Sequence, residues 1–274
     1  MSAQPIPAAQ PAPAPITWHF GFQKTGTTAI QSVCWRNFDA LNAQTALFPK
    51  RQWTGTLRAA AMAWLGGTGP EQAVVDAAAG LAQAVSDSGQ ATALVTDENV
   101  LGVDIYNSHG HIFDFATRIL PVIERAARPH VSEFVFYTRD MESWLLSAHA
   151  QSIAWARQTR DYDDWRAGIP FETDWAPHLA RLQDAVDGTV TFRDMGADKS
   201  EYELLGGYLF ERAGIPRDIQ AGLASAGGGN ERLSPGALQF LLEMNRSRIN
   251  DKPLNIVRRQ VLRHMHLFSS KTEE

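Results

Sequence analysis

Hydrophobic and polar residues follow two different patterns in different segments of this chain. Short runs of β-branched and aromatic residues, bounded by polar or turn-forming residues, predict buried strands. They occupy residues 16–20, 92–95, 131–138 and 189–193. Longer segments with apolar residues three and four positions apart predict amphipathic helices. These cover residues 28–38, 56–65, 71–86, 113–127, 140–151, 175–186, 201–213, 235–250 and 253–268.

Strands and helices follow one another in turn, which predicts an α/β fold of three layers, with a central, mainly parallel sheet between helices. The 274 residues, 44% hydrophobic and 20% charged, suffice for one domain of this kind. Residues 1–15 form a Pro/Ala tail that we predict to be disordered. We expect residues 16–274 to form a single domain, with a C-terminal helical extension or lid from about residue 226.

The turn after the first strand, Gly21-Phe-Gln-Lys-Thr-Gly-Thr-Thr28, carries the most information. A strand, a turn rich in Gly and Thr, and a helix direct backbone N–H groups and a helix N-terminus toward an anion. The nucleotide-kinase form G-x-x-x-x-G-K-[ST] has a lysine directly after its second glycine. Here Thr27 takes that place, and the lysine of the loop is Lys24. The segment therefore predicts a phosphate-binding loop unlike that of the kinases.

The run Lys24-Thr-Gly-Thr-Thr28 resembles the 5'-phosphosulfate loop of the sulfotransferases that use 3'-phosphoadenosine 5'-phosphosulfate (PAPS), [K/R]-[S/T]-G-T-[T/S]. Its flanking residues resemble those of bacterial carbohydrate-type members. The resemblance implies a P-loop-type fold, PAPS as donor, 3'-phosphoadenosine 5'-phosphate (PAP) as product, and no metal. It also implies that Lys24, Thr25, Gly26, Thr27 and Thr28 bind the 5'-phosphosulfate, with Lys24 acting on the bridging oxygen during catalysis.

A second segment agrees with this resemblance. Sulfotransferases hold the 3'-phosphate of the donor with an arginine at a strand end and a serine eight residues later, and Arg139 and Ser147 have that separation. A guanidinium offers a planar fork of donors that suits a phosphate. The alternative is structural: Arg139 pairs with Asp140 or Glu142, and Ser147 faces solvent.

The acidic pair Asp97-Glu98 follows the strand at 92–95, and ligands of parallel α/β sheets bind outside the carboxyl ends of the strands. Bacterial sulfotransferases often have Ser-x-Glu here, and this chain keeps only the glutamate. We expect Glu98 to be the general base that takes the proton of the acceptor. Alternatively, both acids cap the next segment, a role that suits Asp97 better. His109 and His111 are further candidates for the base.

Charge and cysteine content limit the possible partners. The net charge of −5 and the lack of a basic tract argue against a nucleic-acid binder. They also do not favour a polyanionic acceptor, although a local patch of arginines is conceivable around 118–128 or 157–160. Cys34 is the one cysteine and is expected to be packed and reduced. Without a signal peptide or an apolar span, we expect a cytoplasmic protein with no membrane span.

The acceptor is expected to be a small molecule or glycan, with a sugar hydroxyl favoured by the resemblance and by the eight tryptophans. Trp53 and Trp155 are the first candidates for stacking on a sugar. Arg232 and the glycines at 227–229 are candidates for a lid over the nucleotide. Two rival functions stay open: a P-loop small-molecule kinase, and a non-catalytic protein of this fold that binds PAP.

Overall fold

The computed structural model describes residues 13–102, 105–107, 110–227 and 233–268. Its strands are β1 (Ile16–His19), β2 (Ala46–Pro49), β3 (Ala93–Thr96), β4 (Tyr106–Asn107), β5 (Gly110–His111), β6 (Ser132–Thr138) and β7 (Thr189–Asp194). The first eight helices are α1 (Thr27–Arg36), α2 (Phe38–Asn42), α3 (Gly55–Leu65), α4 (Glu71–Ser88), α5 (Ile112–Ala127), α6 (Met141–Trp155), α7 (Tyr162–Ala167) and α8 (Trp175–Ala185). The remaining five are α9 (Met195–Glu201), α10 (Gly207–Arg212), α11 (Arg217–Ala221), α12 (Pro235–Arg246) and α13 (Asp251–Arg263). Short 3-10 turns cover Glu98–Leu101 and Met265–Phe268.

Five strands form one sheet in the order β2-β3-β1-β6-β7, and every neighbouring pair is parallel. In the centre of the sheet, Trp18 of β1 lies opposite Val95 of β3 and Phe134 of β6. The short strands β4 and β5 pair separately and antiparallel. Because all five strands of the main sheet run the same way, their carboxyl ends lie at one edge. The predicted α/β fold with a central parallel sheet is confirmed.

Helices cover both faces of the sheet because alternate strand residues point to opposite sides. On one face, Phe134 and Phe136 pack in a core with α3, α4, α5 and α8. On the other face, Val135 and Tyr137 pack with α1 and α10. Cys34 lies in this second core, where burial raises the pKa of its thiol to about 12, as expected of a packed and reduced cysteine.

A third, smaller cluster joins the C-terminal helices to the rest of the protein. Ile153 near the end of α6 packs with Leu241 of α12 and Val261 of α13. Asn245 of α12 donates from Nδ2 to the carbonyls of Ile153 and Gln158, at 2.8 and 2.9 Å. The C-terminal extension therefore docks on α6, the helix that follows β6.

The structure contains several elements that the sequence did not predict. They are strand β2 at the sheet edge, the short strands β4 and β5, and the short helices α2, α7, α9 and α11. The single helix predicted at 201–213 is wrong in extent: α9 ends at Glu201, and only α10, Gly207–Arg212, is helical within the rest of that range. Gly206, with φ of 105°, takes a left-handed turn between them, and the buried Asp198 carboxylate accepts from Gly206 N at 2.7 Å and Tyr208 N at 3.1 Å.

Several expectations fall on residues outside the described ranges. They concern residues 1–12 of the tail, His109, and positions 228–232 of the expected lid, including Arg232. Among the described helices, none is long and apolar enough to cross a membrane.

Candidate functional site

The loop between β1 and α1 is closed by two glycines that side chains could not replace. A Cβ on Gly26 would lie 2.5 Å from Leu205 Cδ2 and 2.9 Å from Met195 Cε, and its φ of 85° disfavours other residues. A Cβ on Gly21 would lie 2.7 Å from Thr27 Oγ1. The backbone at both positions is thus packed directly against side chains, which fixes the path of the loop.

The threonines of the loop differ in what their hydroxyls do. Thr25 is fully buried and donates from Oγ1 to the carbonyl of Phe22 at 2.5 Å. The Thr27 hydroxyl donates to the same carbonyl at 3.3 Å, whereas Thr28 is exposed. The Thr25 hydroxyl therefore holds the loop together from inside.

The first turn of α1 has no acidic residue and no capping side chain among the described residues. Four other helices are capped by Asp or Ser side chains, namely α6 by Asp140, α8 by Asp174, α9 by Asp194 and α12 by Ser234. Helices α2, α3, α4, α7, α10, α11 and α13 also lack a capping side chain among the described residues. The first N–H groups of any helix lack partners within the helix, so an uncapped N-terminus attracts an anion. The backbone of α1 offers that environment next to Thr27 and Thr28.

A cleft of about 600 Å³ opens at this point, beyond the carboxyl ends of β1, β3 and β6. It is lined by every predicted site residue except Thr25, that is by Lys24, Gly26, Thr27, Thr28, Glu98, Arg139 and Ser147. These residues come from three stretches of the chain that are far apart in sequence. The parallel sheet brings them together because each stretch follows a strand of the same direction.

Lys24 stands in an unusual backbone conformation, with φ of 64°. For a residue with a side chain the left-handed region is sparsely populated, and such residues cluster at ligand-binding sites. Its neighbour Gln23 is buried and anchors the loop: Trp144 Nε1 donates to the Gln23 carbonyl at 2.7 Å, and Gln23 Nε2 donates to Gly102 O at 3.0 Å. The loop that presents Lys24 is thereby tied to α6.

Arg139 and Ser147 also line the cleft. The Arg139 carbonyl accepts from Trp175 Nε1 at 2.8 Å, and Asp140 Oδ1 caps α6 by accepting from Ser143 N at 2.8 Å. That hydrogen bond from the Ser143 backbone lowers the pKa of the Asp140 carboxyl. Ser147 follows two turns into α6 and also faces the cleft.

Glu98 is held by two side chains. Lys50 Nζ lies 2.5 Å from Glu98 Oε1, and Gln31 of α1 donates from Nε2 to Glu98 Oε2. A carboxylate has about four acceptor positions, so these two contacts leave room for an acceptor hydroxyl. The arrangement fixes the orientation of the Glu98 carboxylate at the edge of the cleft.

Asp97 has the capping role that the sequence suggested for it. Its side chain is fully buried and accepts from Asn99 N at 2.9 Å and from Thr54 Oγ1 at 2.6 Å. Burial raises the pKa of the Asp97 carboxyl, against the effect of these two hydrogen bonds. Asp97 does not line the cleft.

His111, the other candidate base that can be assessed, is occupied elsewhere. Its Nδ1 accepts from Asp114 N at 3.4 Å, its Nε2 lies 2.9 Å from Asp114 Oδ2, and burial lowers its pKa. His111 is not among the residues that line the cleft.

Sequence reasoning missed several residues of the cleft. They are Gln23, Ser32, Asn99, Gln151, Met195, Lys199, Leu205 and Ala226, with Lys50 behind Glu98. Gln151 lies one turn beyond Ser147 on α6, and this helical spacing was a usable signal. Lys50 directly follows the unpredicted strand β2, so its position at the same edge of the sheet could not be inferred.

The arginines considered as a local patch are engaged in contacts on the surface. Arg118 lies 5.1 Å from the ring centre of Trp64. The ion pairs are Arg125–Glu71, Arg128–Asp187 and Arg157–Asp251. Of the two tryptophans singled out, Trp53 and Trp155 are 40% and 64% exposed, so both rings have accessible surface. Trp155 lines a groove of about 590 Å³ between α6 and the C-terminal helices, which shares Lys24 and Ser147 with the cleft.

Among the described residues, no group of three or more His, Cys, Asp or Glu side chains is placed to hold a metal ion. Comparison with protein-family models, curated proteins and solved structures finds no match for this chain.

Proposed function

We propose that this protein is a sulfotransferase, which transfers the sulfuryl group of PAPS to a hydroxyl or amine of a carbohydrate or glycosylated small molecule. One observation carries the proposal. The residues that the two sulfotransferase-like motifs single out come from separate stretches of the chain, and all except Thr25 line a single cleft.

The loop fits the 5'-phosphosulfate end of the donor. Gly21 and Gly26 bring the backbone close to its surroundings, and the first turn of α1 lacks a capping side chain among the described residues. Backbone N–H groups at such a helix start bind phosphate oxygens. The exposed hydroxyl of Thr28 adds a donor on the cleft side, while the hydroxyls of Thr25 and Thr27 donate to the Phe22 carbonyl and stabilise the loop.

Arg139 and Ser147 suit the 3'-phosphate, the group by which this donor differs from ATP. The Arg139 guanidinium can bind two phosphate oxygens at once, and the Ser147 hydroxyl can bind a third. Of the two carboxylates that the structural alternative assigned to Arg139, Asp140 caps α6 by accepting from Ser143 N, and the positive charge of Arg139 adds to this hydrogen bond in lowering the pKa of its carboxyl. Glu142 lies 3.0 Å from Arg166 Nε.

When bound, PAPS supplies an activated sulfuryl group whose bond to the 5'-phosphate breaks as the acceptor oxygen attacks sulfur. Lys24 holds a cation near the bridging oxygen, where negative charge grows as that bond breaks. Groups placed in this way stabilise the transition state by about 2.7–4 kcal/mol each. Glu98 accepts the proton that the acceptor hydroxyl loses, and PAP leaves with the charge of its 5'-phosphate.

The non-catalytic alternative has one observation in its favour. Both carboxylate oxygens of Glu98 already accept contacts, from Lys50 and Gln31, as expected of a residue that stabilises the fold. The kinase alternative is weaker, because Thr27 occupies the lysine position of the kinase loop.

Turnover distinguishes an enzyme from a binding protein. We expect the wild-type protein to release PAP from PAPS faster when a pool of mono- and oligosaccharides is added. Glu98→Gln should slow this release by about 100-fold or more, the usual contribution of a general base, and should still bind PAP. Glu203→Gln, an exposed glutamate outside the cleft, is the matched control.

Release that does not depend on any acceptor in the pool would contradict catalysis and support the binding protein. Full activity in Glu98→Gln would remove Glu98 from the role of base.

A further inference from the structure

A second depression adjoins the donor cleft on the side of Glu98. This basin has a volume of about 610 Å³ and shares Thr28 and Ser32 with the cleft. Lys50 and Gln31, which hold the Glu98 carboxylate, also line the basin. The Glu98 carboxylate therefore lies at the border between the two, within reach of a ligand in either.

The charge of the basin is opposite to that of the protein as a whole. Lys50, Arg51 and Arg36 line it, and its lining includes no carboxylate among the described residues, although the net charge of the chain is −5. Of these three cations, only Lys50 has an ion pair in the described part of the chain, with Glu98. Such a concentration of positive charge in a concave surface favours an anionic ligand.

Two of the cations, Arg36 and Arg51, make few side-chain contacts with the described residues. Arg36 donates from Nη1 to the backbone carbonyl of Ser225 at 3.3 Å, an exposed contact. The exposed Arg51 side chain has no hydrogen bond or ion pair with the described residues, and its backbone stands at φ of 85°. Neither guanidinium has a carboxylate partner among the described residues, and both can bind a carboxylate or phosphate.

The other lining groups suit a sugar. Gln31, Gln52, Thr28 and Ser32 supply amides and hydroxyls that can bind sugar hydroxyls. The indole of Trp35 is 42% exposed at the same surface and stacks on Phe38, which fixes its orientation. An exposed, fixed aromatic ring offers an apolar face to a pyranose ring.

We propose that this basin is the acceptor site and that it selects anionic sugars, bearing a carboxylate or a phosphate ester, by means of Arg36, Lys50 and Arg51. This inference rests on the proposed function, since it assigns the acceptor of the same reaction. A sugar bound here has its hydroxyls next to Glu98, which accepts the proton as the sugar oxygen forms its bond to sulfur. The bond between sulfur and the 5'-phosphate oxygen of PAPS breaks, and PAP is the leaving group.

Calorimetric titration of the full chain, saturated with PAP, tests the proposal with three probes. These are trigalacturonate, its carboxyl-reduced neutral counterpart, and glucose 6-phosphate. We expect an anionic probe to bind about 10-fold more tightly than the neutral trisaccharide, and to weaken as salt is raised because exposed charges are screened. The galacturonate and phosphate arms show which anionic group is preferred.

Charge-removing variants locate the site. Arg51→Gln and Arg36→Gln should each weaken the anionic probe by about 5-fold or more and leave PAP binding unchanged. Arg259→Gln, an exposed arginine of α13 outside the basin, should have no effect. Equal affinity for anionic and neutral sugars, no binding of either anionic probe, or no effect of both basin variants would overturn the proposal.

The same titrations separate this inference from the donor proposal. If PAP does not bind but trigalacturonate does, in a manner that depends on Arg51, the basin is an anionic-sugar site and the sulfotransferase proposal fails. If PAP binds and the sugars do not discriminate by charge, the donor site stands and the acceptor proposal fails.

Discussion

At the scale of single residues, the candidate site contains two classes of residue. Some line the cleft, and others are buried behind it and support them. Lys24, Arg139 and Ser147 line the cleft, whereas Thr25 and Asp97 are fully buried behind it and bond to the backbone. Sequence motifs do not separate these two classes, because a threonine hydroxyl can point either way from the same turn. The structure separates them by burial.

His19 is another buried residue of the supporting class, and its burial makes the stability of the protein depend on pH. It ends β1 directly before the loop, is fully buried, and shares a hydrogen bond of 2.9 Å between Nδ1 and Thr96 Oγ1. Its Nε2 is buried without a partner among the described residues. Burial lowers the pKa of His19 to about 3.

We predict that His19 makes the protein less stable as the pH falls. An unfolded histidine titrates near about 6.5, so between that value and about 3 the unfolded state binds one more proton than the folded state. The free energy of unfolding should then fall with decreasing pH, by at most about 1.4 kcal/mol per pH unit from this residue.

Urea unfolding of the wild type and His19→Gln between pH 7.5 and 4.5 measures this contribution. The stability difference between the two proteins should shrink as the pH falls, because only the wild type has the buried imidazole. Parallel stability curves would show that His19 does not titrate in this way. The other histidines are common to both proteins and cancel in the difference.

At the scale of secondary structure, the loop between β1 and α1 depends on the packing of Gly26 against the α9 region. Gly26→Ala would place its methyl group 2.5 Å from Leu205 Cδ2, in a left-handed conformation that alanine disfavours. We expect this variant to lose PAP binding by at least about 10-fold and to be destabilised by about 1–3 kcal/mol.

Gly80→Ala is the matched control for this prediction. Gly80 lies in α4, and a Cβ there would meet nothing within 4 Å. Alanine in a helix interior should stabilise the protein by about 0.5–1 kcal/mol and leave PAP binding unchanged. Calorimetry and thermal unfolding measure both effects. If Gly26→Ala bound PAP like the wild type, the loop would not be the phosphate site.

The elements show which parts of the fold the sequence could predict. Strand β6 was predictable because its run of large apolar residues from Phe134 to Tyr137 is continuous and is buried on both faces of the sheet. Strand β2 has only Ala-Leu-Phe-Pro, a run too short to distinguish from a loop. The break between α9 and α10 depends on Asp198, which bonds to Gly206 N and Tyr208 N, a contact that helical periodicity does not reveal.

Because the sequence does not reveal β2, it also does not place Lys50, which directly follows this strand, or the cationic basin beside Glu98. The three motif segments of the cleft were predictable because each follows a strand that the sequence identifies. Gln23 and Gln31 were not, because an amide has no distinctive spacing and its role depends on what the fold brings near it.

At the scale of the whole molecule, positive charge is concentrated at one edge of an acidic protein. Lys24, Arg139 and Lys199 line the cleft, and Lys50 and Arg51 line the basin beside it, against a net charge of −5. A cleft of one sign of charge attracts ligands of the other sign. The sheet topology produces this concentration, because its parallel strands end together.

If the protein uses PAPS, its cleft recognises the nucleotide by the 3'-phosphate, through Arg139 and Ser147. A cycle of two ligands and two proteins isolates that contact: PAP and AMP, which lacks the 3'-phosphate, are titrated into the wild type and Arg139→Ala. Ser147→Ala is a second test, with Ser152→Ala of the same helix as its control, because Ser152 lies outside the cleft and donates to His149 O.

Calorimetry of this cycle is the most direct measurement. We expect the wild type to prefer PAP over AMP by about 10- to 100-fold, the value of one or more charged hydrogen bonds, and Arg139→Ala to lose most of that preference while binding AMP as before. Equal affinity of the wild type for PAP and AMP would contradict the 3'-phosphate site. Binding of Mg-ATP in preference to PAP would replace the sulfotransferase proposal with the kinase alternative.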